Sequence, residues 1–397
     1  MENLKIKSNQ LITTVSTKFV RYLYEQIDWR WKLNGIIGGR GTGKTTLLLQ
    51  QLKKNHGTSF EAIYISLDDL YFTAHSLLEF VEQFRNKGGR YLYIDEVHKY
   101  KNWAIEIKNI YDTYPNINIV FTGSSIIDIL KQNVDLSRRA VIYYLHGLSF
   151  REYLSFLGIG EIKAIALSDI LKNHTTIASE IIAKLNPLQY FVDYLKWGYY
   201  PFFIENKKLY FRRLEQTLNQ IIESDLNFIE GYDTKNTQKI KQLLYILSTN
   251  VPFKPNIVKL SEKTGIHRNT LVSYIHYLEK AQIINAVYPA GISISILQKP
   301  EKIYLNNTNL SYLLAEETPN QGNLRETFFL NQVKSIYKVK IPKSGDFVLN
   351  ENFIFEIGGK KKTSAQIINE KNAFVISDNI LIGAYNKIPL WLFGFLY

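Results

Sequence analysis

The sequence predicts an α/β fold: a mostly parallel sheet first, then a helical region, then a C-terminal part that returns to strands. Each strand of the sheet but the first follows a segment with helical spacing, which favours parallel pairing. Strand signals are absent between 149 and about 232, where apolar residues recur at helical spacing. The predicted strands are the apolar runs 33–37, 62–67, 91–94, 117–121 and 141–145.

Length and composition indicate a globular protein of several domains. The 397 residues are too many for one ordinary core, so two to four domains are expected. Hydrophobic residues make up 46% of the chain and charged residues 21%, which excludes a disordered protein.

The charge balance indicates anionic partners. The formal net charge is +12, from 48 Lys and Arg against 36 Asp and Glu, and nucleic acid is the first partner that such a surplus favours. The other interpretation is that a Lys-rich proteome gives all its proteins this charge. The chain has no Cys, which excludes disulfides, thiolate metal sites and a cysteine nucleophile.

The distribution of apolar residues predicts a soluble, cytoplasmic protein with no membrane partner. The first ten residues, MENLKIKSNQ, contain no apolar core of the kind found in a secretory signal. No apolar stretch approaches the roughly 18 residues that a membrane-spanning helix needs.

A glycine-rich loop between the first strand and a helix predicts a phosphate site. Residues 38–45 fit G-x-x-x-x-G-K-[ST], between the strand LNGII and the helix TTLLLQQLKK. Lys44 is expected to reach the β- and γ-phosphates of ATP, and the Thr45 hydroxyl to bind Mg²⁺. The predicted ATP-binding residues are Gly38, Gly39, Arg40, Gly41, Thr42, Gly43, Lys44, Thr45 and Thr46.

Two carboxylates follow the buried run 91–94. Parallel sheets bind ligands at the carboxyl ends of their strands, so Asp95 is expected to hold Mg²⁺ and Glu96 to deprotonate the attacking water. Standing alone, such a pair is usually the polar end of a strand. Downstream of a phosphate loop it is the expected second half of the site. His98 is expected to pack locally beside Trp103 rather than to act as a base.

The ends of the last two predicted strands supply two further catalytic candidates. Thr122, Ser124 and Ser125 end the fourth strand, and Ser124 is predicted to contact the γ-phosphate or the water; simple turn chemistry is the alternative. Arg138 and Arg139 precede the fifth strand. Arg139 is predicted to reach a γ-phosphate from a neighbouring copy in a homo-oligomer, and a solvated arginine pair is the alternative.

Together these motifs resemble a known group, the bacterial and archaeal AAA-type ATPases that are followed by a DUF4143 domain. The resemblance rests on GGRGTGKTTLL, YLYIDEVHKYKNW, IVFTGSS, LSFREYL, WGYYPFF and FIFEIGGKKK. It implies a five-stranded P-loop NTPase core, a winged helix and a domain similar to restriction endonucleases. The corresponding segments are 1–148 (ATPase), 149–235 (helical connector), 236–292 (winged helix) and 293–397 (endonuclease-like).

The segment 257–284 predicts a helix, a turn at Gly265 and a second helix, with a strand pair as the wing. In DNA-binding winged helices the second helix enters the major groove of double-stranded DNA. The alternative is a winged helix that packs on the ATPase and does not contact DNA. The predicted contacts are His267, Arg268, Asn269, Thr270 and Ser273.

The C-terminal segment offers three carboxylates for a second divalent cation. Endonuclease-like folds bring acidic side chains from a helix and two strands to one metal, and the candidates are Glu326, Asp346 and Glu356. An active member normally carries Glu-x-Lys, whereas Glu356 is followed by Ile and Gly, and lysines begin at Lys360. An inactive or rearranged nuclease fold is therefore favoured.

The sequence as a whole predicts an ATPase that hydrolyses ATP with Mg²⁺ and moves a winged-helix and nuclease-like half on nucleic acid. The alternative is a slow ATP-dependent switch or scaffold that binds a protein partner and carries an inactive nuclease-like domain. A small-molecule kinase is a weaker third interpretation, because the Asp95–Glu96 pair favours activation of water.

Overall fold

The computed structural model describes residues 1–124, 136, 138–228, 236–291 and 299–397. Ser125 and the predicted domain boundaries at 235 and 292 lie outside these ranges. The chain forms two compact units: Met1–Gly147 with Ser224–Tyr232, and Leu148–Glu223 with Asp233–Tyr397. The first unit therefore includes a short segment, Ser224–Tyr232, which comes after a long stretch of chain that belongs to the second unit. The finer division into four segments remains a prediction.

The first unit is built on a parallel five-stranded sheet of order β2-β3-β4-β1-β5. This confirms the predicted α/β fold class. Its strands are β1 (Leu33–Gly38), β2 (Ala62–Ser66), β3 (Tyr91–Asp95), β4 (Asn118–Ser124) and β5 (Val141–Tyr144). Its helices are α1 (Glu2–Thr14), α2 (Leu23–Gln26), α3 (Lys44–Asn55), α4 (Leu77–Asn86) and α5 (Trp103–Thr113).

Both faces of this sheet are covered, which explains the continuous apolar runs of its strands. Successive side chains point to opposite faces of a strand, and on β2 they join two different cores. Ile63 and Ile65 pack into one core, which also includes apolar residues of α4 and α5. Ala62 and Tyr64 pack into the other core, with apolar residues of α3.

The strand register brings the functional residues to one edge. Gly38, the last residue of β1, lies opposite Ser124 at the end of β4. Asp95, the last residue of β3, lies opposite Ser66 at the end of β2. Because all these strands run in the same direction, their carboxyl ends meet at the edge where the glycine-rich loop begins.

The second unit begins with helices, as predicted for this part of the chain. Aromatic rings hold them to the C-terminal residues of the same unit: the Phe150 ring lies 5.2 Å from Phe191 and 5.7 Å from Phe395. The end of the WGYYPFF segment lies in a short 3₁₀ turn, Pro201–Ile204. The helices are α6 (Phe150–Phe156), α7 (Leu167–Ile182), α8 (Pro187–Trp197), α9 (Tyr210–Glu223) and α10 (Thr237–Thr249).

Two short helices joined by a tight turn follow α10. Helix α11 (Ile257–Thr264) ends at Gly265. Its φ of 63° lies in the left-handed region, which glycine adopts without strain because it has no β-carbon. Helix α12 (Arg268–Lys280) leads into β6 (Ile284–Val287), which pairs antiparallel with β7 (Lys302–Leu305).

The chain ends in a mixed five-stranded sheet of order β12-β11-β10-β9-β8. Helix α14 packs on β10 and on the C-terminal 3₁₀ turn Leu390–Phe395. The helices are α13 (Thr308–Leu314) and α14 (Gln321–Lys334). The strands are β8 (Val339–Lys340), β9 (Phe347–Leu349), β10 (Phe353–Gly358), β11 (Ala373–Ser377) and β12 (Lys387–Pro389).

Candidate active site

The loop between β1 and α3 takes a conformation that depends on its glycines. Gly41 and Gly43 have φ values of 80° and 96°, and Gly43 caps the N-terminus of α3. A β-carbon on Gly38 would lie 2.2 Å from the carbonyl oxygen of Leu145. The loop and the backbone N–H groups at the start of α3 therefore together have the shape of a phosphate-binding site. Thr46, on the same turn of the helix, is exposed.

Lys44 lies buried beneath this loop. Its Nζ donates hydrogen bonds to the carbonyl oxygens of Gly38 and Gly39, each at 2.9 Å. Burial lowers the pKa of Lys44, and the nearby carboxylates of Glu96 and Asp95 oppose this effect. The ammonium group is therefore held by dipoles of the loop itself, at the place where phosphate oxygens would meet it.

Asp95 is fully engaged by hydroxyl groups from three elements. Its Oδ2 accepts hydrogen bonds from Thr45 Oγ1 at 2.7 Å and from the Tyr64 hydroxyl at 2.9 Å. Its Oδ1 accepts a hydrogen bond from Thr122. Burial, with the charge of Asp95, raises the pKa of Tyr64 well above its ordinary value, so the phenol remains a donor. These contacts fix the carboxylate beside the first turn of α3.

The Thr45 hydroxyl and the Asp95 carboxylate fit a magnesium ion. Mg²⁺ prefers oxygen ligands and is typically held by one or two protein groups together with substrate phosphates and water. The 2.7 Å contact between Thr45 and Asp95 joins two such oxygens at the end of the phosphate loop. The pair matches the ligand set expected of a metal shared with a nucleotide.

Glu96 is held in a constrained position next to Asp95. Its φ of 53° lies in the left-handed region, and its N–H donates to Thr122 Oγ1 at 3.3 Å. Its Oε2 is buried and has no hydrogen-bond partner among the described residues, although His98 Nε2 lies 3.2 Å away. His98 therefore contacts the predicted base, which the sequence interpretation did not anticipate.

Ser124 and Arg139 occupy different surroundings. Ser124 is buried at the end of β4, and its N–H donates to His98 Nδ1 at 3.5 Å. Arg139 forms a two-point ion pair with Asp112, at 2.8 and 3.0 Å, on a solvent-exposed part of the first unit. The predicted role of Arg139 in a neighbouring copy remains a prediction.

The structure adds Asp225 to the phosphate loop. Arg40 Nη1 lies 3.1 and 3.2 Å from the two carboxylate oxygens of Asp225, whose side chain is only 1% exposed. Asp225 belongs to the segment by which the chain returns to the first unit. A separation of 185 residues leaves no spacing signal from which the sequence could predict this pair.

A second arginine, which is buried, supports the same loop. Arg21 donates to the carbonyl oxygen of Thr42, and also to those of His146 and Gly147, at 2.7 and 3.0 Å. It thereby connects the phosphate loop to the end of the first unit. Arginine has five donors in a fixed plane, which suits such bridging between carbonyl groups.

The predicted DNA contacts lie at the start of α12. His267, Arg268 and Asn269 are exposed, and His267 caps the helix by accepting the N–H of Asn269 at 3.4 Å. Thr270 is half-buried, and Ser273 donates to the carbonyl oxygen of Asn269 at 3.2 Å. Three of the five predicted side chains therefore lie on the surface.

The three C-terminal carboxylates lie near one another, and lysines accompany them. Lys302 Nζ is 3.8 Å from Glu326 and 3.7 Å from Asp346. Glu356 forms an ion pair with Lys362, so Lys362 rather than Lys360 is its partner. Burial raises the pKa values of Glu326 and Glu356, and the charge of Asp346 raises both further.

Tyr304 and a backbone amide complete this cluster. The Tyr304 hydroxyl donates to Glu326 Oε2 at 2.7 Å, and the N–H of Ile357 donates to Asp346 Oδ2 at 2.8 Å. Among the residues that the structure describes, no three His, Asp or Glu side chains are arranged to hold a metal ion.

In the described part of the chain, no helix has the length and hydrophobicity needed to cross a membrane.

The parallel sheet, the phosphate loop and the position of the Asp95–Glu96 pair are those of a P-loop NTPase core. Residues 30–154 match the family model described as "AAA domain". Residues 188–321 match a model described as a domain of unknown function, DUF8612. This second match differs from the DUF4143 domain that the sequence resemblance suggested.

A curated relative matches most of the chain. The uncharacterized protein MJ1637 of Methanocaldococcus jannaschii is 28% identical over 389 residues, which cover 89% of this chain and 81% of the relative.

Solved structures of DnaA are also similar. AMPPCP-bound DnaA from Aquifex aeolicus is 18% identical, covers 69% of this chain and 88% of its own, and has a TM-score of 0.27. The replication initiator DnaA bound to AMPPCP and single-stranded DNA is 18% identical, with a TM-score of 0.30 and coverage of 68% and 92%.

Proposed function

We propose that this protein binds ATP with Mg²⁺ and hydrolyses it to ADP and phosphate, and that it acts on double-stranded DNA. The observation that carries the ATPase proposal is the contact between Thr45 and Asp95, 2.7 Å apart, beside the buried Lys44. It joins the phosphate loop to the acidic end of β3, as a metal-bound triphosphate requires.

Each side chain has a distinct part in the proposed reaction. Lys44 exchanges its loop carbonyls for phosphate oxygens, and the α3 N-terminus adds backbone donors. Thr45 and Asp95 would hold Mg²⁺, which would supply charge neutralisation to the phosphates. Glu96 orients the attacking water and takes its proton, and Ser124 lies at the adjoining strand end.

Lys44→Ala is expected to weaken ATP binding about 100-fold, because charged hydrogen bonds to phosphate contribute about 3 kcal/mol in total. Isothermal titration with MgATP measures the change. Lys54→Ala is the matched control, since Lys54 is an exposed lysine on the same helix. Equal ATP affinity in Lys44→Ala and the wild type would contradict the assignment of this loop.

The DNA proposal rests on α11, α12 and the strand pair β6–β7, whose order is that of a winged helix. An isolated antiparallel bridge between Phe253 and Ile303 lies on the other side of β7 from β6, where such a fold places a third strand. The exposed His267, Arg268 and Asn269 stand at the N-terminus of the second helix, where major-groove contacts form. The net charge of +12 supports an anionic partner.

Arg268→Ala combined with Asn269→Ala is expected to weaken duplex binding by about 10- to 100-fold, because each lost base contact costs about 1–3 kcal/mol. Fluorescence anisotropy at several salt concentrations measures the affinity and its salt slope. Arg30→Ala removes an exposed arginine from the first unit and serves as the charge control. Unchanged affinity of the double variant at low salt would refute this interface.

The second candidate is a slow ATP-dependent switch or scaffold for a protein partner, with an inactive nuclease-like domain. The placement of Lys302 and Lys362 favours the inactive domain, since their ammonium groups neutralise the carboxylates that a metal would need. We expect no cleavage of single-stranded, duplex or supercoiled DNA with Mg²⁺ or Mn²⁺. Cleavage that Glu356→Gln abolishes would overturn this expectation.

A further inference from the structure

His98 lies between the predicted base and the end of a neighbouring strand. It sits in the 3₁₀ turn Val97–Lys99 that follows Glu96, and it is 6% exposed. Nδ1 accepts the N–H of Ser124, at the carboxyl end of β4, and Nε2 faces Glu96 Oε2 at 3.2 Å. One imidazole ring therefore contacts residues at the ends of both β3 and β4.

The contacts determine which ring nitrogen carries the proton. A nitrogen that accepts a backbone N–H has no proton of its own, so the neutral ring carries its proton on Nε2. That proton lies on the nitrogen nearest to Glu96 Oε2, 3.2 Å away, and a small rotation of either side chain would complete a hydrogen bond. Burial, with the positive charges of Lys44, Lys99 and Arg40, lowers the pKa of His98 to about 3. The ring is thus neutral at ordinary pH and too weak a base to deprotonate water itself.

The Glu96 side chain needs such a partner. Its backbone is held by the Thr122 hydroxyl, but Oε2 is buried without a hydrogen bond of full geometry among the described residues. An unanchored carboxylate in this position can rotate away from the phosphate loop. Misplacement of a catalytic group by about 1 Å costs about 10²-fold in rate.

We infer that His98 is a positioning residue, which directs the Glu96 carboxylate toward the attacking water and couples that orientation to Ser124 at the end of β4. The inference rests on the proposed ATPase function. His98 donates from Nε2 to Glu96, and the backbone of Ser124 keeps the ring in the required tautomer. Glu96 remains the group that takes the proton.

Two substitutions of His98 test this role. The glutamine amide nitrogen reaches about as far as Nε2 and can donate to Glu96, whereas the asparagine amide ends near the position of Nδ1. His98→Asn is expected to lower kcat for ATP about 10²-fold. His98→Gln is expected to recover most of that loss, and KM and the ATP dissociation constant stay close to wild type in both. A purely structural role would lower kcat and the melting temperature in parallel, without this split.

A double variant separates the inference from the proposed function. Because His98 acts through Glu96, adding His98→Asn to Glu96→Gln is expected to cause no further loss of kcat. Wild-type turnover with equal kcat in His98→Asn and His98→Gln would overturn the positioning role and leave the ATPase intact. Absence of wild-type turnover would overturn both. Thermal unfolding confirms that each variant is folded.

Discussion

Replacing Glu96 by Gln is expected to lower kcat for ATP by about 10²–10⁴-fold, the usual contribution of a general base. ATP binding is expected to be retained, because Lys44, Thr45 and the loop backbone keep their contacts. The amide cannot take the proton of the attacking water, so the variant holds ATP without turning it over. Steady-state phosphate release and equilibrium binding of labelled ATP measure the two quantities separately.

The matched control for this variant is Glu82→Gln. Glu82 is exposed on α4, and its replacement by Gln makes the same change of charge and shape away from the phosphate loop. Its kcat is expected to equal that of the wild type. A Glu96→Gln variant that turns over ATP at the wild-type rate would exclude Glu96 as the base, and would leave His98 with nothing to position.

Arg40→Ala is expected to destabilise the first unit by about 3–5 kcal/mol, because it leaves a buried charge without its partner. Asp225 is 1% exposed and keeps no other ion pair among the described residues. Asp225→Asn in the Arg40→Ala background is expected to recover much of the loss, since a neutral amide needs no counter-charge. Chemical denaturation followed by fluorescence and circular dichroism measures the difference.

The Arg40→Ala defect is also expected to shrink in acid. Burial raises the folded-state pKa of Asp225 above its ordinary value of 3.8, and removing Arg40 raises this pKa further. Between the ordinary pKa of 3.8, which applies to the unfolded state, and the raised pKa of the folded variant, the folded state binds more protons than the unfolded state. The stability of the variant therefore falls as pH rises through this range. The variant therefore recovers stability below the raised pKa and loses it above. A defect that is independent of pH, or that persists with Asp225→Asn, would contradict this explanation.

Features that depend on local pattern were predictable from the sequence. The apolar runs that form β1 to β4 are buried on both faces, and continuous hydrophobicity is the signal of such strands. The phosphate loop was predictable because positive φ values at Gly41 and Gly43 require glycine at fixed offsets.

Contacts between distant residues were not predictable in the same way. Asp225 reaches Arg40 across 185 residues, and Tyr64 reaches Asp95 from inside an apolar strand, where a tyrosine is ordinarily a core residue. In the C-terminal cluster, Lys302 comes from β7, far before Glu356 in the sequence, so a Glu-x-Lys pattern does not indicate it. The contacts of His98 with Glu96 and Ser124 are of the same kind, because spacing alone does not show where a ring nitrogen points.

Phosphate release from ATP by the full chain, measured with Mg²⁺ and with EDTA, tests the central claim most directly. The geometry of Lys44, Thr45 and Asp95 predicts turnover that requires Mg²⁺ and is lost in Lys44→Ala. Phosphate release that continues in EDTA, or no release by a folded wild-type protein that binds ATP, would contradict the assignment of this site as a hydrolytic centre.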